Sequence, residues 1–502
     1  MSGKSLTEKT MVVVFSRVLT SFIDLTTAVF IARLLSKTEF AIVGYLLMIY
    51  EVARYVATLG FPESVFYYFE HLTKNFRKAF AVQTSAILLV TGLAAGGIIM
   101  LIRFFAESLI SDFDPQAIQT IQYFLPIIAG VALLEIPTWP VHNVLLASDR
   151  QKEAGWYQVL TSLLSFAALI GPLALGYGIE LALYAMLGYA GIRFVGSFIW
   201  MWMILPDGEL KTPNGNLREQ ISFSIPLGIS ALVNQFNKYA DKFIVAFFLT
   251  EAAYAEYVIG AQEVPIIRVI PFAVGSVLIS RYVNFQIKGK QDDLIDLWHK
   301  GIRKVSLLIV PLAIFFIIIA PEFISLLFET GDTNYQNAVL PFQIYNLIIL
   351  IRVAHYGSIL QAYGDTKGIL RLAVQLVLLN IILSIPFTIW FGIVGTASAT
   401  LLANIVNWGF LLKKIGGHIQ LPVKKVLPIK YYLKVVGLSS AIGIVIYFGM
   451  HQFKEFSDLM TISISFVIYI SVFLGLGSMM NILEKSDWLN LRDLFSLKFL
   501  WK

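Results

Sequence analysis

Long apolar stretches separated by short polar joints run along almost the whole chain, and this pattern predicts a helical membrane protein with about 14 spans. Because a hydrocarbon core about 30 Å thick requires roughly 20 apolar residues per helix, each stretch is long enough to cross a bilayer. The predicted spans cover approximately residues 10–33, 39–60, 79–102, 118–146, 154–176, 180–204, 220–248, 252–280, 304–328, 337–363, 369–391, 394–415, 432–450 and 460–481.

Composition agrees with this pattern and excludes a water-soluble fold. Hydrophobic residues make up 57% of the 502 residues and charged residues only 14%, against roughly 25% charged residues in soluble domains. The absence of cysteine from the sequence excludes disulfides and thiolate chemistry within it. The first apolar stretch has no small-residue cleavage site and is long enough to span, so we predict a retained helix and not a cleaved signal peptide.

Membrane topology accounts for the net charge of +6. Of the 38 lysines and arginines, seven lie well inside predicted spans. With the N-terminus in the cytoplasm, four lie in outer joints or at the outer end of a span, namely Arg33, Lys37, Arg103 and Lys454. The remaining 27 lie in cytoplasmic joints and tails or at the cytoplasmic ends of spans, and this excess predicts cytoplasmic N- and C-termini. Because the basic surplus is spread over many joints and forms no patch, it does not indicate nucleic-acid binding.

The two halves of the chain resemble each other at an offset of 212 to 216 residues, which corresponds to six spans. In chain order the matches are Glu39 with Glu251, Tyr45 with Tyr257, Glu51 with Glu263, Leu125-Pro126 with Leu340-Pro341, and Asp149 with Asp365. Because six is even, both copies cross the membrane in the same direction and form parallel lobes. We predict an N-terminal lobe over 1–205, a linker over 206–218, a C-terminal lobe over 219–415, and two further helices with a cytoplasmic tail over 416–502.

Charged side chains inside the predicted spans point to the function. A charge near the bilayer centre costs a few kcal/mol on insertion scales, so such residues usually face a bundle interior or a wet cavity. The cations are Arg17, Arg54, Arg193, Lys238, Lys242, Arg268 and Arg352, and the other titratable residues are Asp24, Glu51, Glu135, Asp241, Glu263 and His355. The cations therefore outnumber the carboxylates.

Two interpretations of these charges stay open. Glu51 and Arg54, three residues apart on one helix, are as compatible with a structural ion pair as with a cavity wall. Arg193, Arg268 and Arg352 have no opposite charge within four residues on their own helix, which favours a cavity where guanidiniums bind phosphate oxygens. The carboxylates and the histidine are candidates for H⁺ or Na⁺ coupling, and the sequence predicts no metal site and no other cofactor.

Prolines concentrate on two predicted spans. Pro126, Pro137 and Pro140 lie on the fourth span, and Pro265 and Pro271 lie on the eighth. Since each proline removes a helix hydrogen bond and favours a kink, we predict that these spans bend.

Two segments carry family motifs. In the first, Ala32 to Leu35 (ARLL) is followed by the acidic-aromatic pair Glu39-Phe40 and by Leu59-Gly60, and the second is Gln361 to Leu372 (QAYGDTKGILRL). These segments resemble the Wzx-like polysaccharide biosynthesis flippases of the multidrug/oligosaccharidyl-lipid/polysaccharide (MOP) exporter superfamily. Ala41 stands where that family usually has glycine.

The resemblance implies a MATE/MOP-like, two-lobe bundle whose central cationic cavity, formed largely by spans 1, 2, 7 and 8, opens alternately to the two sides of a bacterial inner membrane. It implies a flippase for undecaprenyl-diphosphate-linked oligosaccharide in the synthesis of O-antigen, lipopolysaccharide or capsule, and not an enzyme. In that picture the intramembrane cations other than Arg193 contact the diphosphate or acidic sugars. The expected partners are membrane lipids, a polysaccharide polymerase and glycosyltransferases.

Other functions remain as alternatives. A multidrug or cation antiporter of the superfamily is expected to have a less cationic cavity, whereas a peptidoglycan-precursor (lipid II) flippase is not distinguished by sequence. A membrane glycosyltransferase or polymerase requires acidic catalytic residues in a large outer loop, but the longest predicted outer joints have only about 15 to 17 residues. The sequence also lacks the G-x-x-x-x-G-K-[ST] motif of a built-in ATPase.

Overall fold

A computed structural model describes residues 3–205, 216–331, 333–450 and 456–483, and the regular secondary structure in these ranges is helical. The helices are α1 (Gly3–Leu34), α2 (Lys37–Thr58), α3 (Phe61–His71), α4 (Lys74–Leu109), α5 (Pro115–Glu135), α6 (Pro140–Ala147), α7 (Gln151–Ala174), α8 (Ile179–Ile204), α9 (Asn216–Phe248), α10 (Glu251–Gly260), α11 (Pro265–Ile287), α12 (Gln291–Ile318), α13 (Ala320–Phe328), α14 (Val339–Ile351), α15 (Gly357–Ala362), α16 (Thr366–His418), α17 (Val423–Val426), α18 (Ile429–Met450) and α19 (Asp458–Met479). The predicted all-α class is confirmed. The predicted linker lies largely outside the described residues, and the lobe boundaries stay a prediction.

Within the described ranges, nine helices are long and apolar enough to cross a membrane. They are Lys37–Phe69, Lys74–Leu109, Pro115–Ala147, Gln151–Ala174, Ile179–Ile204, Gln291–Ile318, Thr366–His418, Ile429–Gly449 and Asp458–Met479. These helices include ten of the predicted spans, because α16 contains two. The other four predicted spans lie on α1, α9, α10 with α11, and α14 with α15, and these helices carry intramembrane charges or are interrupted.

Gly392 divides α16 into the two spans that the sequence predicts. Its backbone has φ 59° and ψ −143°, a conformation that side-chain-bearing residues avoid. The chain reverses there, because the hydroxyl oxygens of Thr388 and Thr396 lie 2.7 Å apart, whereas eight residues of straight helix would separate them by about 12 Å. The predicted joint between residues 391 and 394 is therefore confirmed.

Three predicted spans are broken inside the membrane segment. The fourth passes from α5 to α6 through a 3₁₀ turn at Ile136–Thr138, and the eighth is interrupted between Gly260 and Pro265. Both breaks confirm the bending that the prolines predicted, since proline cannot donate the helix hydrogen bond. The tenth is also interrupted, between Ile351 and Gly357.

The six-span repeat is visible in the helix bounds. The breaks in the fourth and tenth spans, and the starts of α7 and α16, are offset by about 215 residues, within the range that the sequence matches indicated. Asp149, just before α7, has φ 64°, and Gly364, just before α16, has φ 71°. Backbone conformation therefore aligns Asp149 with Gly364, one residue away from the Asp365 that the sequence match suggested.

The ninth span differs from its predicted bounds of 304–328. Helix α12 begins at Gln291 and ends at Ile318, and Ala320 then starts the separate helix α13. Charges such as Asp296 and Lys300, which form an exposed ion pair at 2.7 Å, occupy its first turns. From these charges the sequence predicts an amphipathic surface helix over Asp292 to Lys304, outside the span. That helix is confirmed, and it is continuous with the ninth span.

The helices group into two compact units, each with its own core. The first comprises Met1–Val258, Thr330–Thr333 and Leu376–Thr396, and the second comprises Ile259–Glu329, Asn334–Gln375 and Ala397–Lys502. In the first unit, Phe69 and Phe80 are fully buried among α3, α4 and α6. In the second, the buried indole Nε1 of Trp298 donates to the Val426 carbonyl at 2.9 Å, which ties α12 to α17.

Candidate functional site

Arg193, which has no partner on its own helix, pairs with a carboxylate on another. Its Nη1 lies 3.3 Å from Oε2 of Glu135, the last residue of α5, and the two side chains are 12% and 7% exposed. The hydroxyl of Tyr50 on α2 donates to the same carboxylate oxygen. The break after α5 thus carries a buried ion pair that links α2, α5 and α8.

Trp139, at the same break, lies close to two guanidiniums. The ring centroid is 3.8 Å from Cζ of Arg54 and 5.3 Å from Cζ of Arg193, both within cation–π range. Arg54 is buried and also pairs with Glu51 on its own helix. The sequence reasoning missed Tyr50 and Trp139, because aromatic residues are too common in membrane spans to mark a site by themselves.

Two further predicted residues border this group. Asp24 on α1 interacts electrostatically with Glu51, Arg54 and Lys238, the last on α9. We call the set Asp24, Glu51, Arg54, Glu135, Arg193 and Lys238 the first charge cluster. It brings six predicted site residues from α1, α2, α5, α8 and α9 together within one unit.

Asp241 and Lys242, also on α9, form a separate group. Asp241 is 3% exposed, accepts a 2.9 Å hydrogen bond from the Tyr257 hydroxyl, and lies 3.9 Å from the Lys242 ammonium. A buried carboxylate with an ordered hydroxyl donor is held in one orientation. Tyr257 matches Tyr45 in the six-span repeat. In the second copy this tyrosine has a structural role, because its hydroxyl holds the Asp241 carboxylate.

The second compact unit holds a second charge cluster, consisting of Glu263, Arg352 and His355. Glu263 lies in the joint between α10 and α11, and the other two lie in the break between α14 and α15. Nη1 of Arg352 is 2.6 Å from Oε1 of Glu263, and the side chains are 44% and 29% exposed. All three residues line a cavity of about 180 Å³ whose other walls are apolar.

The side chains of Arg17 and Arg268 lie outside the described residues. The other predicted cations and carboxylates are found in the two charge clusters and in the Asp241 group. Their assignment to substrate binding or ion coupling stays a prediction. What the structure adds is that Arg193 and Arg352, which the sequence left without a partner, each contact a carboxylate from a distant part of the chain.

Outside the spans, the family-like segment at Gln361 to Leu372 contains a polar junction centred on Asp365. Its Oδ2 accepts hydrogen bonds from Lys414 and His418, each at 2.8 Å, and its Oδ1 accepts one from the Gly368 amide at 2.8 Å. The bonds from Lys414 and then His418 favour the ionised carboxylate and lower its pKa from 3.8 to about 2. Asp365 therefore joins the two ends of α16.

The chain matches a protein family and a curated relative in sequence. Residues 30–333, more than half of the chain, match the family model described as "Polysaccharide biosynthesis protein". A curated relative from Haloferax volcanii, the probable low-salt glycan biosynthesis flippase Agl15, is 25% identical over 200 residues, which cover 40% of this chain and 42% of that protein. The matched region therefore spans less than half the length of that relative.

Two solved structures share the fold. A lipid II flippase MurJ in an inward closed conformation superimposes with a TM-score of 0.69 and 18% identity, covering 94% of this chain and 99% of that one. An inward-facing MATE transporter of the MOP superfamily gives 0.63 and 14%, covering 81% and 96%. The predicted MATE/MOP-like architecture is confirmed.

Proposed function

This chain belongs to the polysaccharide biosynthesis protein family, and from that premise we propose that it is a flippase for lipid-linked oligosaccharide. The proposed substrate is an oligosaccharide on undecaprenyl diphosphate, carried across a bacterial inner membrane by alternating access for the synthesis of a surface polysaccharide. The chain acts as a transporter and not as an enzyme.

The observation that supports this proposal is the position of the cations at helix breaks inside the membrane segment. Arg193 and Arg352 are each paired at, or next to, a broken span, the kind of place where transporters build substrate sites. Guanidiniums suit a diphosphate because they offer several N–H donors to its oxygens in a fixed plane. A polar, anionic headgroup would meet the accessible Arg352 there while its lipid chain stays in the hydrocarbon.

The decisive experiment follows lipid-linked oligosaccharide across the bilayer. The Arg352→Ala and Arg268→Ala variants should accumulate the intermediate on the cytoplasmic leaflet, because each loses an intramembrane cation. Lys300→Ala is a matched control, since it removes a cation from an exposed ion pair at the start of α12. Normal glycan export by both arginine variants would refute the proposed site.

A peptidoglycan-precursor flippase is the second candidate, because the MurJ structure covers nearly all of this chain. Purified protein in vesicles, given lipid II or an undecaprenyl-diphosphate oligosaccharide, separates the two by which lipid it moves. An imposed H⁺ or Na⁺ gradient in the same vesicles tests the proposed coupling. Acceleration by neither gradient would remove the ion-coupling role of the carboxylates and His355.

The proposed orientation, with both termini in the cytoplasm, has a direct test. Since the sequence contains no cysteine, a single-cysteine variant labelled in intact cells carries its label only at the introduced position. Arg103→Cys, in a predicted outer joint, should react with a membrane-impermeant maleimide, and Lys300→Cys should not. The opposite labelling pattern would invert the topology.

A further inference from the structure

The second charge cluster is presented by two helix breaks that meet at one cavity. The joint after α10 contributes Glu263, and the break after α14 contributes Arg352 and His355. Irregular backbone at membrane depth is tolerated where it lines a cavity or is buried in protein. The breaks therefore mark a place built to expose polar groups.

The break that carries Arg352 is held in a defined conformation. The Tyr356 hydroxyl donates to the Ile351 carbonyl at 2.8 Å and accepts from Trp408 Nε1 at 2.9 Å. On the facing helix α11, Gly275 allows His355 to pack closely, because a Cβ at position 275 would lie 2.3 Å from that of His355. These contacts fix the cluster against α11 and α16.

The ion pair in this cluster is accessible, unlike the Glu135–Arg193 pair. The side chain of Arg352 is 44% exposed and that of Glu263 is 29% exposed, and both line the cavity of about 180 Å³. In this pair Glu263 accepts from Nη1 of Arg352, and a guanidinium carries five N–H donors. An incoming oxyanion can therefore reach the guanidinium while the carboxylate still holds it.

We propose that Glu263 is a built-in counterion for Arg352 that a phosphate of the anionic lipid headgroup displaces. This inference rests on the proposed function and specifies how its site works. In the empty protein the carboxylate offsets a cation that would be costly in an apolar cavity. On binding, the phosphate replaces the carboxylate on Arg352, and on release the carboxylate returns, so Arg352 faces an anion in both states.

The test measures binding of inorganic pyrophosphate to the purified full-length protein in nanodiscs by calorimetry. Glu263→Gln should lower the Kd by about two- to fivefold, the range expected when a partly exposed competing ion pair is removed. Arg352→Gln should raise the Kd, and Arg352→Lys should fall between this variant and wild type because it keeps the charge without the planar fork. Glu256→Gln, which breaks a 2.6 Å pair with Lys37 outside the cluster, should leave the Kd unchanged.

A second measurement separates competition from a structural role. Glu263→Gln should bind the anion more tightly yet flip lipid more slowly, because release loses the returning carboxylate. Weaker pyrophosphate binding in Glu263→Gln, in parallel with Arg352→Gln, would overturn the proposal, as would unchanged binding in Arg352→Gln. Competition by undecaprenyl diphosphate but not by undecaprenol assigns the anion site to a lipid headgroup, and competition by neither removes that assignment.

The outcomes also distinguish this inference from the proposed function. If wild type fails to flip any lipid-linked sugar while the Kd values change as expected, the flippase proposal fails and the anion site stands. If flipping occurs and the Kd values do not change, the counterion proposal fails and the flippase stands.

Discussion

Replacing Glu135 by glutamine removes the carboxylate of the most deeply buried arginine pair in the described part of the chain. At 3.3 Å and an effective dielectric constant near 20, the attraction between Glu135 and Arg193 is about 5 kcal/mol. This gross value is opposed by the cost of desolvating both charges, but removal of one partner leaves the other buried and uncompensated. We therefore expect Glu135→Gln to destabilise the fold by about 3–5 kcal/mol.

A double-mutant cycle isolates the pair. Glu135→Gln with Arg193→Met should cost less than the sum of the single changes, with a coupling energy of about 2–3 kcal/mol, because no lone charge remains buried. The exposed pair Arg150–Glu153 is the matched control, with a similar distance of 3.4 Å but side chains that are 43% and 40% exposed. Its coupling energy should be about 0.5 kcal/mol or less.

The assay is reversible unfolding of the four variants of each cycle by SDS titration in mixed micelles. Equal coupling energies for the buried and exposed pairs would refute the reasoning that burial makes the Glu135–Arg193 pair strong. Flipping measured on the same double variant assigns the role of Arg193. Normal transport would make it structural, and loss of transport in a stable double variant would support substrate contact.

Two further predictions concern packing and pH. Gly228→Ala should cost about 1–3 kcal/mol of unfolding free energy, because a Cβ there would lie 2.1 Å from the Leu59 carbonyl carbon. Gly97→Ala is the control and should be neutral or stabilising, because a Cβ there would meet no atom within 4 Å. Equal losses of stability in the two variants would contradict this account. Asp365→Asn should lower the Tm at neutral pH by the equivalent of about 1 kcal/mol, a value reduced for solvent screening. The pKa of Asp365 in the folded protein, about 2, lies below the usual 3.8. This stabilisation is therefore complete above about pH 4 and is lost as the pH falls through 2. If the Tm difference between wild type and Asp365→Asn did not shrink on acidification, the ionised contacts with Lys414 would be excluded as its cause.

The sequence predicted the helical membrane class, most of the spans and the bending of two of them. These features depend on local properties, namely the apolar run length that a bilayer requires and the hydrogen bond that proline lacks. The joint at Gly392 and the bends near Pro137 and Pro265 are examples. The helix over Asp292 to Lys304 was also predicted, but its continuity with the ninth span was not, because charged turns outside the apolar segment still continue a helix.

The composition of the charge clusters was only partly predictable. The sequence identified their charged members, because charge inside an apolar span is conspicuous in any register. It could not pair Arg193 with Glu135, or Arg352 with Glu263, because the partners are 58 and 89 residues apart in the chain.

Tertiary structure alone decided which cations are buried and which are accessible. Glu135–Arg193 and Glu263–Arg352 have the same chemistry, but the first pair is sealed at a helix break and the second faces a cavity. That difference depends on how helices distant in sequence pack, since ion pairing and burial are set by the surroundings of a side chain and not by its neighbours in the chain. The sequence therefore determined that this protein keeps charge inside a membrane, and the fold determined where that charge can meet a substrate.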